Sequence, residues 1–128
     1  MLPPYARLRR SDDIGLVRQQ GQRWRHPLLV LFVYAQSPDT ASASRFAIAV
    51  GRHIGQATRR NRIKRRVREI LRLRLDRLRP GHDCLIVVRA GAVEANYGEL
   101  ETALHQLLTR SGMMNGDSNV AEGIESLL

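Results

Sequence analysis

Between Arg52 and Arg79 the chain carries twelve basic side chains and two acids, Glu69 and Asp76. On a helical wheel at roughly 100° per residue, Ile63, Val67, Ile70, Leu71 and Leu78 gather on one side, and Asn61, Arg65, Arg68 and Arg72 fall opposite them. The spacing predicts a long helix, roughly Thr58 to Leu78, that packs by an apolar stripe and shows a row of cations with an amide at its head. Arg74 falls inside the stripe, where its guanidinium would have to snorkel to the edge. Two acids cannot neutralise such a row, and like charges four residues apart cost a helix about 0.2–0.5 kcal/mol per pair. A polyanion removes that repulsion and releases counterions as it binds. Arginine, which supplies twenty of the 21 basic residues, suits phosphate because its fork grips two oxygens at once.

Chemistry of other kinds finds little support. His26, His53, His82, His105 and Cys84 lack metal-ligand spacing, and His82-Asp83-Cys84 is too short to chelate zinc well. Gly51 to Thr58 lacks the Gly-Lys-Ser/Thr of a phosphate-binding loop. Asp12 and Asp13 are adjacent, so on a helix they diverge by about 100° and suit a helix start better than acid–base work. No nucleophile with a base and an orienting partner stands out.

The 128 residues make one domain, with a formal net charge of +9. Residues 113–128 hold no Lys or Arg but three acids, Asp117, Glu122 and Glu125. The expectation is therefore a basic domain over residues 1–112 and a flexible acidic tail over 113–128. A lone cysteine, no apolar leader and no 18-residue apolar run suggest a soluble cytoplasmic protein without a membrane partner. Patterning gives a short helix capped by Ser11 and stopped at Gly21, with a short strand near Arg23 to Arg25 after it. A buried strand follows over Leu28 to Tyr34, and a second, antiparallel to it, over Arg45 to Val50. After the charged helix, Pro80-Gly81 gives a stop, Asp83 to Arg89 a strand, and Glu94 to Arg110 a final helix ended by Gly112.

Arg60-Asn61-Arg62-Ile63-Lys64-Arg65, with Arg68-Glu69 behind it, resembles the RNR signature of the bacterial ribonuclease P protein subunit. The lead-in Ala49 to Ala57, with Arg52, His53 and the Ile54-Gly55 pair, is similar too, as are Arg7 to Asp13 and Gly21. The resemblance spans about Arg7 to Gly112. It implies an α+β fold: a two-layer α/β sandwich with a mixed, mainly antiparallel four-stranded sheet, order α-β-β-β-α-β-α, and a left-handed βαβ crossover. It implies a partner too, one large catalytic RNA that with Mg²⁺ removes the 5′ leader of precursor tRNA as an endoribonuclease. The protein would be the accessory subunit, with no catalytic residue and no metal site of its own, and no DNA partner.

Carried over residue by residue, the resemblance places RNA contacts at Arg52, Gly55, Arg60, Asn61, Arg62, Lys64, Arg65 and Arg68; the wheel adds Arg72. Arginines would take phosphates, the Asn61 amide a base edge or 2′-hydroxyl, and the glycine a close backbone approach. For the leader it implies a cleft between the first helix and the sheet, with Phe32 as a stacking surface. The family's two helix phenylalanines read Ile14 and Arg18 here, and a frequent lysine reads His53, whose charge depends on pH. The leader site is then Ile14, Arg18, Phe32 and His53. Charge and fold alone leave a plain RNA-binding module open as a rival. A helix-turn-helix DNA reader lacks the preceding helix and short turn, and a protein-only nuclease lacks a carboxylate cluster.

Overall fold

The structure is a computed structural model, and it describes residues 2–114. Its regular elements are α1 (Ser11–Gln20), β1 (Gln22–Arg25), β2 (Leu29–Ala35), β3 (Arg45–Val50), α2 (Ala57–Arg72), β4 (His82–Val88) and α3 (Tyr97–Arg110). The α+β class and the expected sequence of elements hold. The sheet runs β1-β2-β4-β3, with β4 antiparallel to β2 and parallel to β3. The strand at Arg45 to Val50 does run opposite to β2, but β4 lies between them. Hydrophobic runs show that both strands are buried, and say nothing of which later strand slots between them.

Period-two alternation sorts the strand residues between two faces. Leu29, Leu31, Phe46, Cys84, Ile86 and Val88 join the main core, closed by Ile63, Val67, Ile70 and Leu71 of α2 and by Leu100, Leu104, Leu107 and Leu108 of α3. Val30, Phe32, Tyr34, Ala47, Ala49, Leu85 and Val87 form a second cluster, against Leu8 and against Ile14 and Val17 of α1. Sheet and paired helices thus make the two-layer sandwich, and α1 adds a partial layer on the opposite face. Burial pushes the Cys84 thiol well above its ordinary range, with the Asp83 charge adding to it, so this cysteine is an inert core residue.

Helix ends differ from their sequence expectations in instructive ways. The N-cap of α1 is Arg10, and it makes no side-chain capping bond; Ser11 is already the first helical residue. The α2 helix ends at Arg72, short of Leu78, because a 3-10 turn follows over Leu75–Arg77 and Leu78 pairs with Met114 across an isolated β-bridge. That early end resolves Arg74: it is buried, with Nη1 donating to the Ile70 carbonyl at 3.2 Å and Nη2 to Glu101 at 3.1 Å. The α3 helix starts at Tyr97, not Glu94, where Asn96 and Glu99 form a reciprocal capping box. Met113 and Met114 are buried in the core. From residue 115 on, the acidic stretch expected to be flexible lies outside the described residues.

Gly21 closes α1 where no side chain fits: a Cβ there would sit 2.5 Å from the Val17 carbonyl oxygen and 3.0 Å from that of Val33. Gly55 turns the chain into α2 at φ 138°, a conformation that L side chains rarely adopt.

Candidate nucleic-acid interface

The α2 helix is positioned by its apolar stripe. Ile63, Val67, Ile70 and Leu71 are at most 4% exposed, which leaves the other face outside. Arg59, Asn61, Arg62 and Arg65 are exposed, and Arg60, Lys64, Arg66 and Arg68 are half-buried along their stems. Among the described residues none of these seven arginines and lysines makes an ion pair or side-chain hydrogen bond. Arg72 departs from the expected row: its Nη2 and Nε donate to the Glu69 carboxylate at 2.6 and 3.0 Å. That hydrogen bond holds Glu69 below the usual carboxylate range and raises Arg72. Both groups stand in solvent, so the pair is weak as a stabiliser, yet it makes Arg72 a poorer phosphate ligand than Arg65 or Arg68.

At the start of α2 the N-cap Gln56 makes no side-chain capping bond and the first turn holds no acid. Its leading N–H groups are therefore left for outside acceptors. A recess of about 490 Å³ opens beside them, lined by Gly55, Gln56, Thr58, Arg59 and Arg62. Arg52 stands exposed on the preceding 3-10 turn, Arg52–Ile54. The RNR positions thus lie on α2 and their lead-in on the turn that opens it.

The residues expected to form the leader cleft are not all brought together. Arg18 and Phe32 share a cavity of about 250 Å³ with Arg23, Arg25, Val30, Val87 and Arg89. Phe32 is only 9% exposed, so it offers a rim rather than an open stacking face. Ile14 lines a different cavity, with Arg7, Arg9 and Arg68. His53 lines neither; its ring lies against Gly51, where a Cβ would come within 2.7 Å of Nδ1. Helical or strand periodicity cannot show that α1 divides the space over the sheet into two openings.

Sequence reasoning missed Arg23, Arg25 and Arg89. On β1, Arg23 pairs with Phe32 and Arg25 with Val30, so both arginines face the α1 side while Trp24 packs on the main core. The signal was present as arginines two apart on a strand. Arg89 follows β4 and donates from Nη1 to the His26 carbonyl at 3.2 Å. Four arginines from α1, β1 and the end of β4 surround the apolar floor of Val30, Phe32 and Val87, and no carboxylate lines the cavity.

The described residues contain no group of three or more His, Cys, Asp or Glu that could hold a metal ion, and no helix among them is long and apolar enough to cross a membrane. A small α+β domain thus carries a helix face of arginines unpaired among the described residues and an arginine-rimmed cleft on its sheet, features that suit polyanions. Comparison with known proteins makes the class specific. The family model for ribonuclease P matches residues 2–112. The ribonuclease P protein component of Herpetosiphon aurantiacus is 43% identical over 105 residues, 82% of this chain and 83% of that one. That of Chloroflexus aurantiacus is 35% identical over 114 residues, 88% of this chain and 82% of its own. The ribonuclease P protein of Thermotoga maritima superposes with a TM-score of 0.73 at 30% identity, covering 81% of this chain and 96% of that structure. The Staphylococcus aureus protein gives 0.78 at 20% identity over 86% and 98% of the two chains, which shows the shared fold. The chain belongs to the ribonuclease P protein family, a family of tRNA processing, and membership implies an RNA partner.

Proposed function

We propose that the chain is the protein subunit of ribonuclease P, docking on a catalytic RNA and helping it remove the 5′ leader of precursor tRNA in the cytoplasm. The observation that carries this reading is the outer face of α2, where seven cations stand without an ion-pair partner among the described residues. Arg52, Arg60, Asn61, Arg62, Lys64, Arg65 and Arg68, with Gly55 giving close approach, make the surface for the catalytic RNA. Arg72 joins it only by exchanging Glu69 for a phosphate. The four-arginine cleft, with Arg18 over Phe32, takes the leader strand.

The division of labour follows from the side chains available. Mg²⁺ bound by the RNA would supply the hydrolytic chemistry; the described residues offer no group of three or more His, Cys, Asp or Glu to hold such an ion by themselves. The protein's own residues bind and orient. Guanidinium groups neutralise phosphates that would otherwise repel one another where leader and catalytic RNA approach. Cleft arginines hold the leader's backbone whatever its bases, and the apolar floor offers sequence-tolerant contact.

Arg65→Ala is expected to weaken binding to the RNA subunit and to lower the slope of log K against log salt by roughly one unit. Arg18→Ala is expected to weaken precursor binding only when the leader is present. Equal effects of both substitutions on both ligands would show that the two surfaces are not distinct.

A further inference from the structure

We propose that the cavity bounded by Arg7, Arg9 and Arg68 is a third RNA-binding subsite, taking a phosphodiester group with its sugar or base against an apolar wall. The proposal rests on the reading of the chain as an RNA binder and assigns a site beyond the α2 face and the cleft at Phe32. The cavity holds about 340 Å³ and opens where the amino-terminal segment, α1, the β3 edge and α2 meet. Ile14, Phe46 and Ala47 are part of its wall, and no carboxylate lines it.

Three features make it a built site. Arg7 is pinned at both ends: its backbone pairs with Phe46 across a parallel bridge, the next residue, Leu8, donates its N–H to the Phe46 carbonyl at 2.9 Å, and its Nε donates to the Leu2 carbonyl at 2.8 Å. The terminal nitrogens of its fork are left to reach a ligand, with little rotamer entropy still to lose. Arg68 reaches the same space from α2, half-buried and with no ion pair among the described residues. Arg9 is exposed at the rim. Three guanidinium groups around one recess repel each other, and a bound phosphate would reverse the sign of that interaction.

The place of the recess in the fold gives it a role. Arg23, Phe32, Leu85 and Ala47 form one row of paired residues across the four strands, and Val17 of α1 packs on that row. The cleft opens at the β1–β2 end of the row and the new subsite at the β3 end. Two strand spacings separate Phe32 from Ala47, roughly 10 Å. Arg68 therefore belongs to the α2 face and to the α1 side of the sheet at once, and the subsite joins the two surfaces. Its phosphodiester comes either from the catalytic RNA or from the precursor.

The test uses the protein reconstituted with the ribonuclease P RNA of the same genome. Salt dependence is measured for binding of the RNA subunit, and for binding of precursor tRNA with and without its leader to the assembled complex. Arg9→Ala is the main variant, because Arg9 is exposed and its loss leaves the fold intact, as a thermal melt would show. It is expected to lower the slope by roughly one unit in one of the two arms. Loss in the first arm assigns the phosphodiester to the catalytic RNA; loss in the second, with leader present, assigns it to the precursor. Slopes unchanged in both arms overturn the subsite. Arg65→Ala runs beside it: if that variant lowers the slope and Arg9→Ala does not, only the subsite fails, whereas two unchanged slopes would sink the wider RNA-binding reading as well.

Discussion

The two faces of one sheet are covered unequally. On one, α2 and α3 seal Leu29, Leu31, Cys84 and Ile86 from solvent completely. On the other, α1 covers Leu85 and most of Phe32 but leaves Val30, Tyr34, Ile14 and Val87 half-buried, with arginines around the openings. The same alternation of side chains feeds both faces. What differs is how much helix lies on top: thirty residues of α2 and α3 on one side, ten of α1 on the other. The closed face holds the fold together. The open face keeps apolar surface within reach of a ligand and surrounds it with fixed charge.

Arginines show the same contrast. Arg45 lies against buried Asp83, with Nε and Nη2 donating to the two carboxylate oxygens at 2.9 and 2.7 Å, and Gln36 adds a further bond to Asp83 at 2.9 Å. That hydrogen bond raises the Arg45 pKa. Arg74 is held by Glu101 and the Ile70 carbonyl. These arginines are structural because the fold supplies each with an acceptor. Those on the outer face of α2, Arg72 with its Glu69 apart, have none among the described residues, and that is what suits them to an external polyanion.

Substitutions on the closed face should separate folding from binding most strongly. Leu104→Ala, at a fully buried α3 position, is expected to cost about 3 kcal/mol of stability in denaturant melts. Val30→Ala, half-buried in the cleft, should cost about 1 kcal/mol and weaken leader binding besides. Equal losses of stability would mean that the second face is as closed as the first. Asp83→Ala should fall between these two, at about 2 kcal/mol, because the Arg45 guanidinium and the Gln36 amide lose their shortest hydrogen bonds and keep only Asp13 and two backbone carbonyls as weaker partners. Arg65→Ala, which loses no intramolecular bond, should stay within about 0.5 kcal/mol of the parent.

The smallest effect concerns pH. His26 accepts a hydrogen bond at Nδ1 from the Leu28 N–H, at 3.0 Å. Burial, and then the nearby Arg110, lower its pKa from 6.5. The unfolded chain therefore binds a proton more readily than the folded one. Its stability contribution is fully present above about pH 6.5 and is lost as pH falls through the window below that value. His26→Gln should flatten that part of the stability profile; an unchanged slope between pH 5 and 6.5 would take His26 out of it.

Much of this was legible in the residues. The i, i+4, i+7 spacing of Ile63, Val67 and Ile70 gave α2 its buried stripe, and with it the outward row of cations. The composite RNR pattern pointed to the family. Pairing was less legible: nothing in Arg45 to Val50 says that the later strand His82–Val88 inserts beside it. The end of α2 was hidden because Arg74 and Leu78 continue the helical period, while their burial is satisfied by Glu101 and Met114, partners distant in sequence. The cleft arginines were visible as a period-two pair at Arg23 and Arg25, but only the β1–β2 register tells which face they take. Where the His53 ring lies was hidden for a similar reason, since it depends on how the turn before α2 closes on Gly51.

The most direct measurement is cleavage of precursor tRNA at low Mg²⁺, with the RNA subunit from the same genome, with this protein, and with both. Cleavage at the mature 5′ end should appear or rise only with both together, and Arg65→Ala should reduce it by weakening assembly. Cleavage by the protein alone would place the chemistry in its side chains, and binding without any change in rate would leave a passive RNA-binding module.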